Sequence, residues 1–256
     1  MEEHLQKLVQ HAEPKPTFNI VITGKSSRLH TRFSPPLVFS NSTSCYYEMA
    51  LFKLETYYSF PNIDATNNRV KIRINETLGW KTVTIPTGCY EITNINEELQ
   101  RLIVQLGGKK DKVVLSPNNS TLRCVLEVKD DKYGVDFRVD HSLRTVLGFD
   151  AKLYERGRFE SEHLVDIMSV NSIMVHCDII GGSRWNGIEA PIIYNFFPDT
   201  APGDKIICTP KNLIYVPITM DVISHMTCWL TDQSGRELDL RGEDLTITFY
   251  MKACGS

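Results

Sequence analysis

The chain has 256 residues, 42% hydrophobic and 23% charged, with a formal net charge of −3. That length holds one large domain or two small ones, and that composition is ordinary for a globular protein whose core needs no disulfides. The charge argues against a globally basic nucleic-acid coat, while leaving local basic patches open. No stretch is long and apolar enough for a membrane-spanning helix, and Met1–Gln6 lacks the basic start and apolar core of a secretory signal, so folding in a reducing compartment is expected.

Residues 1–16 are polar and end in Pro14-Lys15-Pro16. Leu5, Leu8 and Val9 share one side of a short amphipathic pattern that is marginal alone in water, so a flexible N-terminal arm is expected. Thr17–Thr23 alternates Phe18, Ile20 and Ile22 with Asn19, Val21 and Thr23 and reads as the first strand; Gly24-Lys25-Ser26-Ser27 ends it, and Ser34-Pro35-Pro36 blocks regular pairing. Tyr46–Tyr58 is apolar and aromatic; its β-branched and aromatic content and the following Pro61 favour strand over helix. Val70–Ile74 and Trp80–Ile85 follow as strands.

Asn94–Leu106 has helical periodicity, with Ile95, Leu99, Leu102, Ile103 and Leu106 on one face, Asn94 or Asn96 as cap, acidic residues in the first turn and Gly107-Gly108 as the stop. Lys112–Leu115, Thr121–Val128 and Tyr133–Val139 return to the strand pattern, with Asn118-Asn119 turning the first two into a hairpin. Ser142–Leu147 fits one helical turn, and residues 151–164 read as a charged, irregular surface loop. From 171 to 252 there is no room for a helix. Short apolar runs at Ser172–Ile180, Pro191–Phe197, Lys205–Cys208, Leu213–Ile218, Val222–Leu230 and Leu245–Met251 are divided by Gly, Pro, Asn and Asp, the spacing of an all-β sandwich or barrel.

Few constellations invite chemistry. His176-Cys177-Asp178 suggests a metal or a nucleophile, but adjacent strand residues face opposite ways, so a structural role is the simpler reading. His163 and Asp166 lack a second ligand pair, and His225 reads as a packed or interface histidine. Gly181–Gly187 is glycine-rich without the following helix of a phosphate loop, so a wide strand-to-strand loop is expected. Gly24-Lys25-Ser26 lacks the preceding glycine of such a loop, and Lys109-Lys110-Asp111-Lys112 reads as a solvated turn. Asp232, Glu237, Asp239, Glu243 and Asp244 flank turns, where Asp makes local hydrogen bonds, and match no calcium loop. The seven cysteines, Cys45, Cys89, Cys124, Cys177, Cys208, Cys228 and Cys254, are scattered and never paired as CxxC; buried free thiols, with no structural disulfide, are expected. The N-x-S/T triplets at Asn41, Asn75, Asn118 and Asn119 read as chance matches in the absence of a signal. No catalytic residue, cofactor or metal is expected.

Several phrases in order resemble one family. They are Tyr47-Glu48-Met49-Ala50-Leu51 with Tyr58–Ile63, Pro86–Ile92 before the helix, Val146-Leu147-Gly148-Phe149, Gly181-Gly182-Ser183 with Asn186-Gly187, Leu230–Gly235, and Asp239-Leu240-Arg241-Gly242-Glu243. Over residues 17–252 the chain resembles the minor capsid, or penton, proteins of Polinton (Maverick) elements and adintoviruses. The resemblance implies an all-β fold, a single jelly-roll sandwich of two packed antiparallel sheets over 17–256, with a helix-bearing insertion near 90–150 and elaborated loops. It also implies homopentamers at the vertices of an icosahedral shell, and a double jelly-roll major capsid protein as partner. The protein would be made in a host cell and located in the virion, and it would be no enzyme. Two alternatives stand beside this. One is a cytosolic β-sandwich ligand-binding module, with Trp80, Trp185 and Trp229 as candidate groove aromatics. The other is a cupin-like metalloenzyme, which the dispersed histidines disfavour.

Overall fold

The computed structural model describes residues 17–39 and 46–254; the expected arm at 1–16, Asn41 and Cys45 lie outside them. The chain divides into two compact units, Met1–Ser59 with Val170–Ser256, and Phe60–Ser169 between those segments in sequence.

In chain order the first unit begins with β1 (Thr17–Gly24), β2 (Arg28–Val38) and β3 (Tyr46–Tyr57). The second unit contributes β4 (Arg69–Arg73), β5 (Trp80–Thr84), helix α1 (Ile92–Gln105), β6 (Val113–Asn118), β7 (Arg123–Val128), β8 (Gly134–Asp136), helix α2 (Arg144–Leu147), β9 (Leu153–Tyr154) and β10 (Gly157–Glu160). The chain returns to the first unit with β11 (Ile173–Cys177), β12 (Arg184–Trp185), β13 (Ile188–Glu189), β14 (Ile192–Phe196), β15 (Lys205–Cys208), β16 (Val216–Pro217), β17 (Val222–Thr231) and β18 (Leu245–Cys254).

The first unit is a jelly roll, and the strand order demonstrates it. One sheet runs β1-β18-β3-β15 and the other β14-β11-β17-β2, with every pairing antiparallel. Counting only these eight strands, the orders are 1-8-3-6 and 5-4-7-2, two interlocked Greek keys. The sequence writes the buried face plainly in β18, where Leu245, Ile247, Phe249, Met251 and Ala253 are buried and the residues between them are not. The facing sheet answers with Ile173, Val175 and Cys177 from β11 and Met226, Cys228 and Leu230 from β17.

Two departures from simple alternation matter. In β3 both Leu51 and Leu54 are buried, although three residues apart, because the register against β18 slips between Thr248 and Phe249 and the extra residue, Phe52, is left 43% exposed. In β2 the residues opposite β17 jump from Leu37 to Arg32 while β17 advances only from Ile223 to His225. Pro35 and Pro36 lie in that bulge, so the prolines interrupt the ladder but do not end the strand.

The second unit has its own core. Ile95, Leu99 and Ile103 of α1 pack with Val70 and Ile72 of β4, Val113 and Leu115 of β6, and Leu126 of β7. The helix starts two residues before the expected Asn94, so Glu97 and Glu98 fall in its second turn. Glu91 is the N-cap and its N–H donates to Asn94 Oδ1 at 3.3 Å. Residues 151–164 are not the loose loop expected. Tyr154 is buried with its ring 5.7, 5.3 and 5.2 Å from those of Phe137, Phe149 and Phe159, and β9 and β10 pair with β8 and β7. Charged neighbours hide two aromatic anchors there, the buried Tyr154 and the half-buried Phe159.

Candidate assembly interface

The residues singled out for chemistry are not brought together. His176 sits on the outer face of its sheet, its ring stacked on Trp229 at 4.9 Å and its Nε2 2.9 Å from Thr231 Oγ1. Arg28 covers the other side of Trp229 at 4.7 Å and pairs with Glu237 at 3.0 Å. Burial, and then the Arg28 charge, push His176 down to about 4, so it is neutral near pH 7. Cys177 points the opposite way, into the core, and Asp178 Oδ1 accepts the Thr227 N–H at 2.9 Å. His163 pairs with Asp150 at 3.2 Å, not with Asp166, and His225 Nδ1 lies 2.9 Å from Ser224 Oγ.

Asp232 organises a turn, accepting from the Ser234 and Arg236 N–H groups at 2.8 and 3.0 Å and from Arg236 Nε at 2.8 Å. Asp239 accepts the Arg241 N–H at 2.9 Å. Lys112 pairs with Asp130 at 3.4 Å, and the Lys109 N–H donates to the Tyr133 hydroxyl at 2.8 Å. The glycine-rich stretch is tighter than the wide loop expected: β12 and β13 form a hairpin around Asn186 and Gly187, both at positive φ, the residues that a two-residue turn demands. Trp80 belongs to the second unit, under Arg73 at 5.2 Å, while Trp185 and Trp229 belong to the first. Among the described residues no group of three or more His, Cys, Asp and Glu could hold a metal, and no helix is long and apolar enough to cross a membrane.

What the roll does present is two flanks. The strand orders leave β1 at one edge of the first sheet and β15 with the short β16 at its other edge, and β2 and β14 as edges of the second. The β1 and β2 edges share one flank, where Phe18 of β1 stacks on Phe39 just past β2 at 6.4 Å. Val21, Val38 and Val222 are 59%, 71% and 54% exposed there, and Val38 and Val222 are register partners. On the opposite flank β14, β15 and the segment after β15 enclose a groove of about 470 Å³, lined by Tyr194, Phe197, Ile207, Lys211 and Ile214 among others. Phe197, Ile207 and Ile214 are each more than half exposed. Cys208 in the groove is pushed up to about 11 by burial and then by Asp199, so it is a protonated thiol and no nucleophile near pH 7. Clustered exposed apolar side chains of this kind mark contact surfaces. Sequence reading could not name the residues of either flank, because which strands become edges depends on the order in which they assemble.

No protein-family model matches the chain, and no curated protein matches its sequence. Among solved structures, the crystal structure of a selenomethionine-labelled mavirus penton protein is similar at 12% identity and a TM-score of 0.48, covering 93% of this chain and 100% of that one. The jelly-roll assignment stands on the strand order and burial described above, independently of that likeness.

Proposed function

We propose that this protein is a penton subunit, five copies of which form a ring at each vertex of an icosahedral shell encoded by a Polinton-type DNA element. The observation that carries the reading is a jelly roll with exposed apolar side chains on both of its opposed flanks. A ring of identical copies needs a heterologous contact, in which one flank of each copy meets the opposite flank of the next. The ordered resemblance of Tyr47–Leu51, Val146–Phe149 and Leu230–Gly235 to penton proteins supplies the shell context, with a double jelly-roll major capsid protein as partner and the virion as location. The chemistry agrees with a structural role, since His176 is held neutral and the Cys208 thiol stays protonated.

Magnitudes favour a ring over a pair. Each of the six flank residues is roughly half exposed, so covering it contributes about 1 kcal/mol, and one contact about 6 kcal/mol. Association costs about 4–15 kcal/mol, so an isolated pair is marginal. Closing a ring adds one further contact without one further association. The test is co-expression with the major capsid protein, followed by imaging of the shells. Density for this chain at the fivefold vertices is expected. Intact shells with this chain absent from those vertices would overturn the reading.

The groove volume also falls in the range of small-ligand sites, which favours a binding module as the second reading. That reading expects a monomer at every concentration, unchanged by shells. Light scattering of the protein alone and with shells separates the two.

A further inference from the structure

We propose that Cys177 and Cys228 are a dithiol pair that closes to a disulfide under oxidising conditions and latches β11 to β17 on the inner face of their sheet. The two are register partners on adjacent antiparallel strands. The neighbouring Asp178 N–H donates to the Thr227 carbonyl at 3.1 Å, which makes 178 and 227 a hydrogen-bonded site. Sites alternate along an antiparallel ladder, so 177 and 228 occupy a non-hydrogen-bonded site, where Cα atoms lie about 4.5 Å apart and side chains are closer. That separation lies inside the range of about 4.4–6.8 Å that a disulfide spans. Both side chains are fully buried on the inner face of the sheet. Among the described residues these are the two cysteines that the strand register places opposite one another.

The same geometry keeps the pair reduced while the core is shut. The Cys177 side chain beside it, and then burial, hold the Cys228 proton on, and only a thiolate attacks a disulfide. Local opening of β11 against β17 lets one thiol lose its proton to water. Its sulfur attacks oxidised glutathione and expels one glutathione thiolate. The partner thiol then deprotonates and attacks the mixed disulfide, expelling the second. Two protein thiols and one oxidised glutathione become one disulfide and two reduced glutathiones. The latch therefore sets when the protein passes from a reducing to an oxidising medium, whatever its role in a shell.

The full chain, made in reducing buffer, is held in oxidised glutathione at a urea concentration just below unfolding. It is then alkylated and examined by mass spectrometry, intact and after proteolysis without reduction. The expected result is loss of two hydrogens, a Cys177–Cys228 linked peptide, and a melting temperature about 5–10 °C higher, reversed by dithiothreitol. Cys177→Ala and Cys228→Ala are each expected to lose the mass change and the rise together. A link mapped to other cysteines, a stable glutathione adduct on either residue, or a linked protein that melts lower would overturn the proposal. So would full reduction surviving complete unfolding and refolding in the same buffer.

Discussion

Gln100 is a buried amide whose replacement tests how α1 is held. It is 7% exposed on a helix whose other buried residues are apolar. Its Nε2 donates to the Val113 carbonyl at 2.5 Å and to Asn96 Oδ1 at 3.1 Å, and its Oε1 accepts the Asp111 N–H at 2.9 Å. Gln100→Leu gives an apolar side chain one bond shorter and removes all three hydrogen bonds. Val113 is fully buried, so its carbonyl loses a partner that water cannot replace, a cost of about 1–3 kcal/mol. Asp111 is exposed, so its N–H returns to water at little cost, and Asn96 Oδ1 keeps the Leu115 N–H at 2.9 Å. The leucine regains about 1 kcal/mol of apolar burial. The net expectation is a loss centred on about 1 kcal/mol, read from urea unfolding followed by circular dichroism, with the exposed Gln105→Leu as control. Gln100→Leu as stable as the control, or more stable, would refute the claim that this amide pins the helix to β6.

The remaining predictions concern the roll and the arm. Asp232→Ala strips three hydrogen bonds from one turn and should cost about 2–3 kcal/mol, a fall of about 5–10 °C in a thermal melt; an unchanged melt would show that the backbone holds the turn alone. His176 is depressed to about 4, below an unfolded value of about 6.5, so the unfolded chain binds the proton first. Its contribution to stability is complete above about pH 6.5 and is lost as pH falls through about 4, at most about 3 kcal/mol. His176→Gln should flatten that slope in urea titrations, and an unaltered slope would contradict the assignment. Deleting residues 1–16 should leave the melting temperature of the isolated subunit nearly unchanged, because that segment has little apolar surface to bury; a large drop would make it part of the core.

Legibility followed burial pattern. β18 and α1 could be read because one face of each is apolar at a constant period. β3 was ambiguous between strand and helix for a visible reason: the bulge at Phe52 places Leu51 and Leu54 three residues apart on the same face, a helical spacing inside a strand. β2 was missed because an edge strand exposes His30 and Arg32 and carries two prolines in its bulge. Tyr154 was missed because one buried ring among charges makes no period. Asn186-Gly187 was the readable signal passed over, since that dipeptide alone specifies a tight hairpin. The flanks were beyond any single-segment reading, as Phe197 and Ile214 become neighbours only after β14 and β15 have taken their edges.

The winding of the roll also sets an order of events during synthesis. Thr17 pairs with Lys252 and Tyr46 with Cys254, so β1 and β3 emerge from the ribosome long before β18, the strand that lies between them. Until then β1 has no neighbour in its sheet and β3 lacks the one on its other side from β15, a state open to chaperones and to wrong partners. The stretch from Phe60 to Ser169 is contiguous and owns its core, so it can fold while the roll is still being translated. A ribosome that stops before residue 245 therefore leaves a chain with one folded unit and a sheet that cannot close. A nascent-chain series arrested at successive lengths would show protease resistance arriving in two steps, the inserted unit first.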